Sequence, residues 1–294
     1  MSALFAASLI WAFSFGLIKA QLAGVPPHLV ALLRLLLSAL LFLPWLRPGR
    51  LPRRTLGLLA ACGAIQYGAM YLAYLAAFAY LKASEVALWT IFTPVYVVLL
   101  ADLASRTFRG RNLVAAGLSV AAAWIVVQGS PNSSLVGAAL VQLSNLCFAA
   151  GQVWYRRLIP PSAPVRDHEI FALLYLGGAA LTALPVGLSA GMLEAAIRLT
   201  APQIGTICYL GLIPSGLGFF LWNVGVRRSR EGTAAVWNNA KVPLALLVSW
   251  LFFESLPGPE TLGPIGFALL LLAIALWLAE TERADRPDDG RRSA

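Results

Sequence analysis

FTPVYVVLLADL at residues 92–103 and KVPLALLVSWLF at 241–252 can be laid on one another so that Pro94 falls against Pro243. Each is a mainly apolar run inside a longer stretch, 85–104 and 232–253, of predominantly apolar residues. A bilayer crossing takes ~20 mainly apolar residues in helical form. Barrel strands instead alternate over ~10 residues, and these runs do not, so they read as transmembrane helices. Their likeness implies a chain built twice from one pattern.

Working outward, the same kind of run recurs. The expected spans are 2–22, 27–46, 56–81, 85–104, 112–129, 134–156, 169–189, 203–226, 232–253 and 262–280. Composition agrees, with 59% hydrophobic and 12% charged residues, against ~25% charged in ordinary soluble domains. That much apolar surface has to face lipid. The start lacks a basic n-region and its apolar stretch runs too far for a cleavable signal peptide, so 2–22 is expected to stay as the first helix.

The net charge of +9 does not mark a nucleic-acid binder, because the basic residues lie in short loops between apolar runs. Seventeen of the 22 Lys and Arg follow even-numbered spans, from Arg47, Arg50, Arg53 and Arg54 through Arg106, Arg109 and Arg111 to the tail. The other side holds Lys82 and Arg198, with Lys19 near a span end. Positive loops stay in the cytoplasm, so both termini are expected there. The expected setting is a bacterial-type cytoplasmic (inner) membrane crossed many times.

A second pairing lays LIWAFSFGLIKA at 9–20 on LCFAAGQVWYRR at 146–157. The expected domains are a first five-helix repeat at 1–129, a second at 134–280 and a cytoplasmic tail at 281–294, with SPNSS at 130–134 joining the halves. Five is odd, so the second unit enters from the opposite side. The fold class is therefore all-α integral membrane, ten helices as two inverted five-helix repeats around a central cavity. Such repeats hold substrate near the midplane between them.

The first span with LIWAFSFGLIKA, Arg34 inside the second, and ASEVALWTIFTPVYVVLLADL at 83–103 resemble the drug/metabolite transporter superfamily over about residues 2–280. Within it the chain is similar to the ten-helix EamA-type exporters, and the YddG-like amino-acid exporters look nearest. The resemblance implies alternating access, a framework arginine at Arg34, and rocking helices with bends at Pro94 and Pro243. The lysine and paired asparagines at 238–241 are unusual beside a plain apolar EamA helix.

Ionisable and amide groups in hydrocarbon are costly and face a cavity or a partner. In GTAAVWNNAKVPLALLVSW of the ninth span, Trp237, Asn238 and Lys241 lie three or four residues apart, with Asn239 beside them. Lys241 is expected to attract a carboxylate and the two asparagines to fix polar groups. The alternative is a lysine that snorkels to the interface, which its depth disfavours. Tyr71 and Tyr74 belong to an aromatic stripe on the third span, joined by Trp11, Trp89, Gln152, Tyr155 and Trp222 from other spans. Rings with a few amides suit a small amphipathic molecule, though single rings also fill helix interfaces and membrane belts. Arg34 is expected to tie carbonyls or a neighbouring helix rather than meet substrate.

Absences narrow the class. The three cysteines show neither metal spacing nor a disulfide framework. No GxxxxGK[ST] phosphate loop is present. No carboxylate lies at mid-span, which points to facilitated rather than tightly proton-coupled transport. No cofactor or metal is expected, and a monomer suffices. The leading expectation is an exporter of amino acids, aromatic or hydrophobic ones included, and related small metabolites. A multidrug or organic-cation exporter is the competitor within the class, and a membrane enzyme acting on lipid is the distant one. An assembly subunit without transport of its own is a further alternative.

Overall fold

Lipid offers no hydrogen bonds, so a chain this apolar closes its backbone within helices. The computed structural model describes residues 2–12, 14–81, 83–108, 110–127, 134–160, 162–230, 232–241 and 259–281, and its elements there are helical. They are α1 (Ser2–Ala12), α2 (Ser14–Gln21), α3 (Pro27–Phe42), α4 (Arg53–Ala77), α5 (Ala83–Thr90), α6 (Thr93–Ser105) and α7 (Gly110–Val127). After them come α8 (Leu135–Leu158), α9 (Phe171–Leu188), α10 (Met192–Ile197), α11 (Ala201–Arg228), α12 (232–241) and α13 (Pro259–Thr281).

Among the described residues, six helical stretches are long and apolar enough to cross a membrane: Pro27–Trp45, Arg53–Ala77, Leu88–Ser105, Leu135–Leu158, Phe171–Leu188 and Ala201–Arg228. Leu40, Leu103, Leu184, Leu188 and Trp277 are exposed on the outside, as lipid-facing side chains should be. The protein is an all-helical membrane protein. Pro243 and the tail expected at 281–294, apart from Thr281 at the end of α13, lie outside the described residues.

Helix ends follow local chemistry. Pro27 opens α3 at a first-turn position, where a missing N–H costs nothing. Thr200 and Gln203 form a capping box on α11. The span expected at 85–104 is interrupted, because Ile91 and Phe92 form a turn between α5 and α6. Pro94 explains this: it cannot donate to the carbonyl of Thr90, and the Thr93 hydroxyl takes that carbonyl instead at 2.8 Å. The neighbouring carbonyls are also caught by side chains. Asn145 (2.8 Å) and Gln142 (3.1 Å) donate to Trp89 O, and Asn239 donates to Ile91 O at 2.9 Å.

The same device recurs in α11, which widens into π-helix over Gly211–Gly218 with Pro214 inside. The carbonyl of Leu210, to which Pro214 cannot donate, accepts from Ser215 Oγ at 2.7 Å. Trp11 donates to Pro214 O at 3.0 Å, Ser38 to Gly211 O at 2.8 Å, and the Tyr175 hydroxyl reaches Ser215 O and Gly216 O. α4 widens similarly over Ala64–Ala69. Irregular turns of this kind cluster at functional sites.

Close approach is carried by glycine. A Cβ on Gly177 of α9 would stand 1.9 Å from the Ala60 carbonyl oxygen, and one on Gly63 1.9 Å from that of Leu174. Gly151 is pressed against Gln66 in the same way. Gly68 and Gly137 likewise permit tight helix contacts. At one end of the bundle, Asp167 accepts from Arg227 at 2.6 Å and from Tyr155 at 2.6 Å, joining α8, α11 and the turn before α9.

Candidate functional site

The interrupted stretches meet around one cavity. The helix ends that flank the turn between α5 and α6 contribute Thr90 and Thr93, and the π segment of α11 contributes Pro214, followed by Phe219. Trp11 and Ser14 come from α1 and α2, Met70, Tyr71 and Tyr74 from the helix just past the α4 π segment, and Ser144, Asn145 and Phe148 from α8. Arg34 of α3 and Lys241 of α12 complete the wall. The empty volume is about 610 Å³, open solvent at the mouth included.

Arg34 is 3% exposed and tightly held. Its Nε donates to Ser215 Oγ at 3.0 Å and its Nη2 to the Tyr71 hydroxyl at 2.7 Å, while Cζ lies 4.4 Å from the centre of the Tyr71 ring. Ser215 Oγ donates to Leu210 O, which leaves the Tyr71 hydroxyl as donor in its 2.8 Å contact with Ser215. The remaining Arg34 nitrogen, Nη1, is buried with no hydrogen-bond partner in the protein. Lys241 is 7% exposed, and its Nζ lies 5.9 Å from the centre of the Trp11 ring. Among the described residues lining the cavity, two are basic and none is acidic.

The remaining walls are aromatic and neutral polar. Trp11 meets Phe148, Phe219 and Trp222 at 6.0, 5.4 and 5.1 Å between ring centres. Thr93 donates to Asn145 Oδ1 at 3.0 Å, so hydroxyl and amide form one hydrogen-bonding patch.

Of the residues expected at a site, the structure brings Lys241, Trp11, Tyr71 and Tyr74 to this cavity, and Arg34 with them. Arg34 also performs the helix tie expected of it, to α4 and α11. The other residues lie elsewhere. Asn239 holds the broken helix at Ile91 and also contacts Ser119 at 3.2 Å. Tyr155 is committed to Asp167. Trp237 packs edge-on against Phe5 at 5.8 Å. Trp89 stacks on Phe92 at 5.9 Å and offers its carbonyl to α8. Trp222, Asn238 and Gln152 are buried beyond the cavity wall. Pro94 sits at the helix interruption.

The expectation passed over Ser14, Ile18, Met70, Thr90, Ser144, Asn145 and Pro214. For Ser144 and Asn145 a signal was available: adjacent polar residues in an apolar span at LSNL, 143–146. Met70 and Pro214 carry none that distinguishes them from packing residues.

Known proteins agree with this architecture. Residues 1–128 match the EamA-like transporter family. The chain is 37% identical to a protein named biotin transporter in Escherichia coli K12, over 99% of this chain and 98% of that one. It is 25% identical to a probable terminal-alkyne amino-acid exporter of Streptantibioticus cattleyicolor, over 96% and 95%. One solved crystal structure shares the fold with a TM-score of 0.75 at 20% identity, covering 97% of this chain and 98% of the other.

Proposed function

Because the chain belongs to the EamA-like transporter family, we propose that it carries a small amphipathic carboxylate across the bilayer through this cavity, with biotin the foremost cargo. One observation carries the reading: a membrane cavity lined by Arg34 and Lys241 with no acidic residue among its described lining. Two basic groups in a low-dielectric setting call for an anion. The aromatic wall suits a fused ring body, and Thr93 with Asn145 can exchange hydrogen bonds with a neutral head such as a ureido group. The similarity to proteins named biotin transporter supports the choice.

Amino-acid export is the second reading, favoured by the likeness to the terminal-alkyne amino-acid exporter. It shares the carboxylate, but an α-ammonium would be repelled by Arg34 and Lys241. The same repulsion argues against organic cations, despite the rings that could receive them.

The transporter is read as ten helices in two inverted repeats, 1–129 and 134–280, with both termini and the tail in the cytoplasm of an inner membrane. The arginine distribution supports this orientation. So do the π segments, one near the middle of the third span and one near the middle of the eighth. Pro94 and Pro243 serve as hinges, and one copy suffices because one chain lines the cavity. Transport is facilitated, as no carboxylate among the described lining offers a proton relay. A requirement for an imposed pH gradient would overturn that point.

The test is counterflow in proteoliposomes containing only this protein, with biotin, its methyl ester, phenylalanine, methionine and tetraphenylphosphonium. Biotin should exchange and its neutral ester should not. Exchange of the amino acids without biotin would move the assignment to the second reading. Equal movement of ester and acid, or movement of the cation, would defeat a carboxylate site.

A further inference from the structure

A second opening lies beyond the cavity wall at Trp11 and Phe148, behind which Trp222 packs at 5.1 and 6.5 Å between ring centres. It is lined by Val97, Ser105, Gln152, Arg156, Arg157, Val226 and Ala234, and its empty volume, open solvent included, is about 630 Å³. Four helices line both spaces. α6 carries Thr93 at the cavity and Val97 at the cleft, and α8 carries Phe148 and Gln152, each pair four residues apart. α11 carries Phe219 and Val226, and α12 carries Lys241 and Ala234, each pair seven apart. At 1.5 Å per residue the two spaces are stacked along the bundle, ~6–10 Å apart.

The layer between them is defined by spacing and burial. Trp222 falls three residues after Phe219 and four before Val226, so it shares their face. Asn238 holds the corresponding place on α12, three before Lys241 and four after Ala234. Both are 0% exposed, and Gln152 is 1% exposed. Trp222 Nε1, both side-chain polar atoms of Asn238 and both of Gln152 have no hydrogen-bond partner in the protein. Buried polar atoms are almost always paired. Orphans on the cleft wall at Gln152 and in the layer behind it at Trp222 and Asn238 form a barrier ready to interact with something that passes. On the far side, Ile18 borders both the central cavity and a separate space lined by Leu22, Leu75 and Phe78.

We infer that the cleft is a second anion-binding station on the same route, where Gln152, Arg156 and Arg157 receive a carboxylate, and that Trp222 and Asn238 form the gate between it and the central cavity. This rests on the carboxylate reading above. It also gives Gln152, Trp222 and Asn238 a contact with cargo at a different place from Lys241.

Two measurements test it. In right-side-out and everted membrane vesicles, Gln152→Leu and the double variant Arg156→Gln/Arg157→Gln should raise the KM for biotin about fivefold or more from the face bearing the arginine-rich loops. From the other face KM should be unchanged. Equal changes from both faces, or none, would overturn the station. Independently of cargo, Gln152→Cys and Asn238→Cys are placed in a chain carrying Cys62→Ala, Cys147→Ala and Cys208→Ala, its fold checked by melting. A membrane-impermeant maleimide should label position 152 from the arginine-rich face only, and position 238 more slowly than 152 from that face. Labelling of 152 from the opposite face, or of 238 as fast as 152, would overturn the gate. Wild-type protein that moves no biotin would strike the cargo assignment and leave the labelling to decide this one.

Discussion

Arg34 and Tyr71 are joined twice: the guanidinium lies 4.4 Å from the centre of the tyrosine ring, and Nη2 donates to the same residue's hydroxyl at 2.7 Å. Together with Ser215 this fixes the fork of the arginine and leaves Nη1 unpaired beside the cavity. A carboxylate oxygen is the natural partner for that nitrogen.

Tyr71→Phe keeps the ring and deletes the hydroxyl. A lost hydrogen bond to a charged group is worth ~1.5–3 kcal/mol, so the KM for biotin should rise at least tenfold while the maximal rate changes little. Counterflow kinetics check this. An unchanged KM would return Arg34 to a purely structural role.

Lys241→Ala should weaken carboxylate cargo and leave the fold intact, because Arg34, Tyr71 and Ser215 do not depend on it. Biotin counterflow should fall several-fold, with a melting temperature in detergent close to that of the parent. Collapse of the melting transition would place Lys241 among the packing residues.

Asp167→Asn leaves Arg227 buried without its 2.6 Å carboxylate partner. Breaking one side of a buried pair costs ~3–5 kcal/mol, and the variant should melt well below the parent. Adding Arg227→Gln should recover part of the loss, a recovery that thermal melts of the single and double variants will show.

Glu169 has its carboxyl held below the ordinary value of 4.5, first by the Arg166 backbone N–H and then by Arg50, His168 and Arg166 charges. A depressed carboxyl stabilises the fold fully above its unfolded pKa. That contribution disappears as pH falls through the lower folded value. Melting temperature should therefore decline below about pH 4.5 in the parent, and Glu169→Gln should decline less over the same window.

Gly177→Ala drives a methyl into the Ala60 carbonyl, whereas Gly187 on the same helix has nothing within 4 Å of its added Cβ. The first change should destabilise by ~1–3 kcal/mol or more, the second by only a few tenths or less. Paired melts of the two variants separate helix contact from a general effect of losing glycine in α9.

The expected spans from 27–46 to 203–226 agree with the described helices within a few residues. A bend was expected at Pro94, and the structure has a turn at Ile91–Phe92, just before it. A proline marks where a helix can break, but the break persists because Thr93, Asn145, Gln142 and Asn239 satisfy the freed carbonyls. Those partners come from three different helices. Asn239 was expected at cargo for the same reason: a buried amide in an apolar run announces a partner without saying which one.

By itself the sequence determined that this chain is helical, lives in lipid and belongs with transporters. Burial in hydrocarbon is local and additive, so each apolar run declares itself without reference to the others. Tertiary structure alone decided that Arg34, Tyr71 and Ser215 meet, that Lys241 shares their cavity, and that Asn238 and Gln152 stand outside it. Those meetings depend on how each helix is rotated about its axis and how closely glycines let its neighbour approach. Neither quantity is written in any single span.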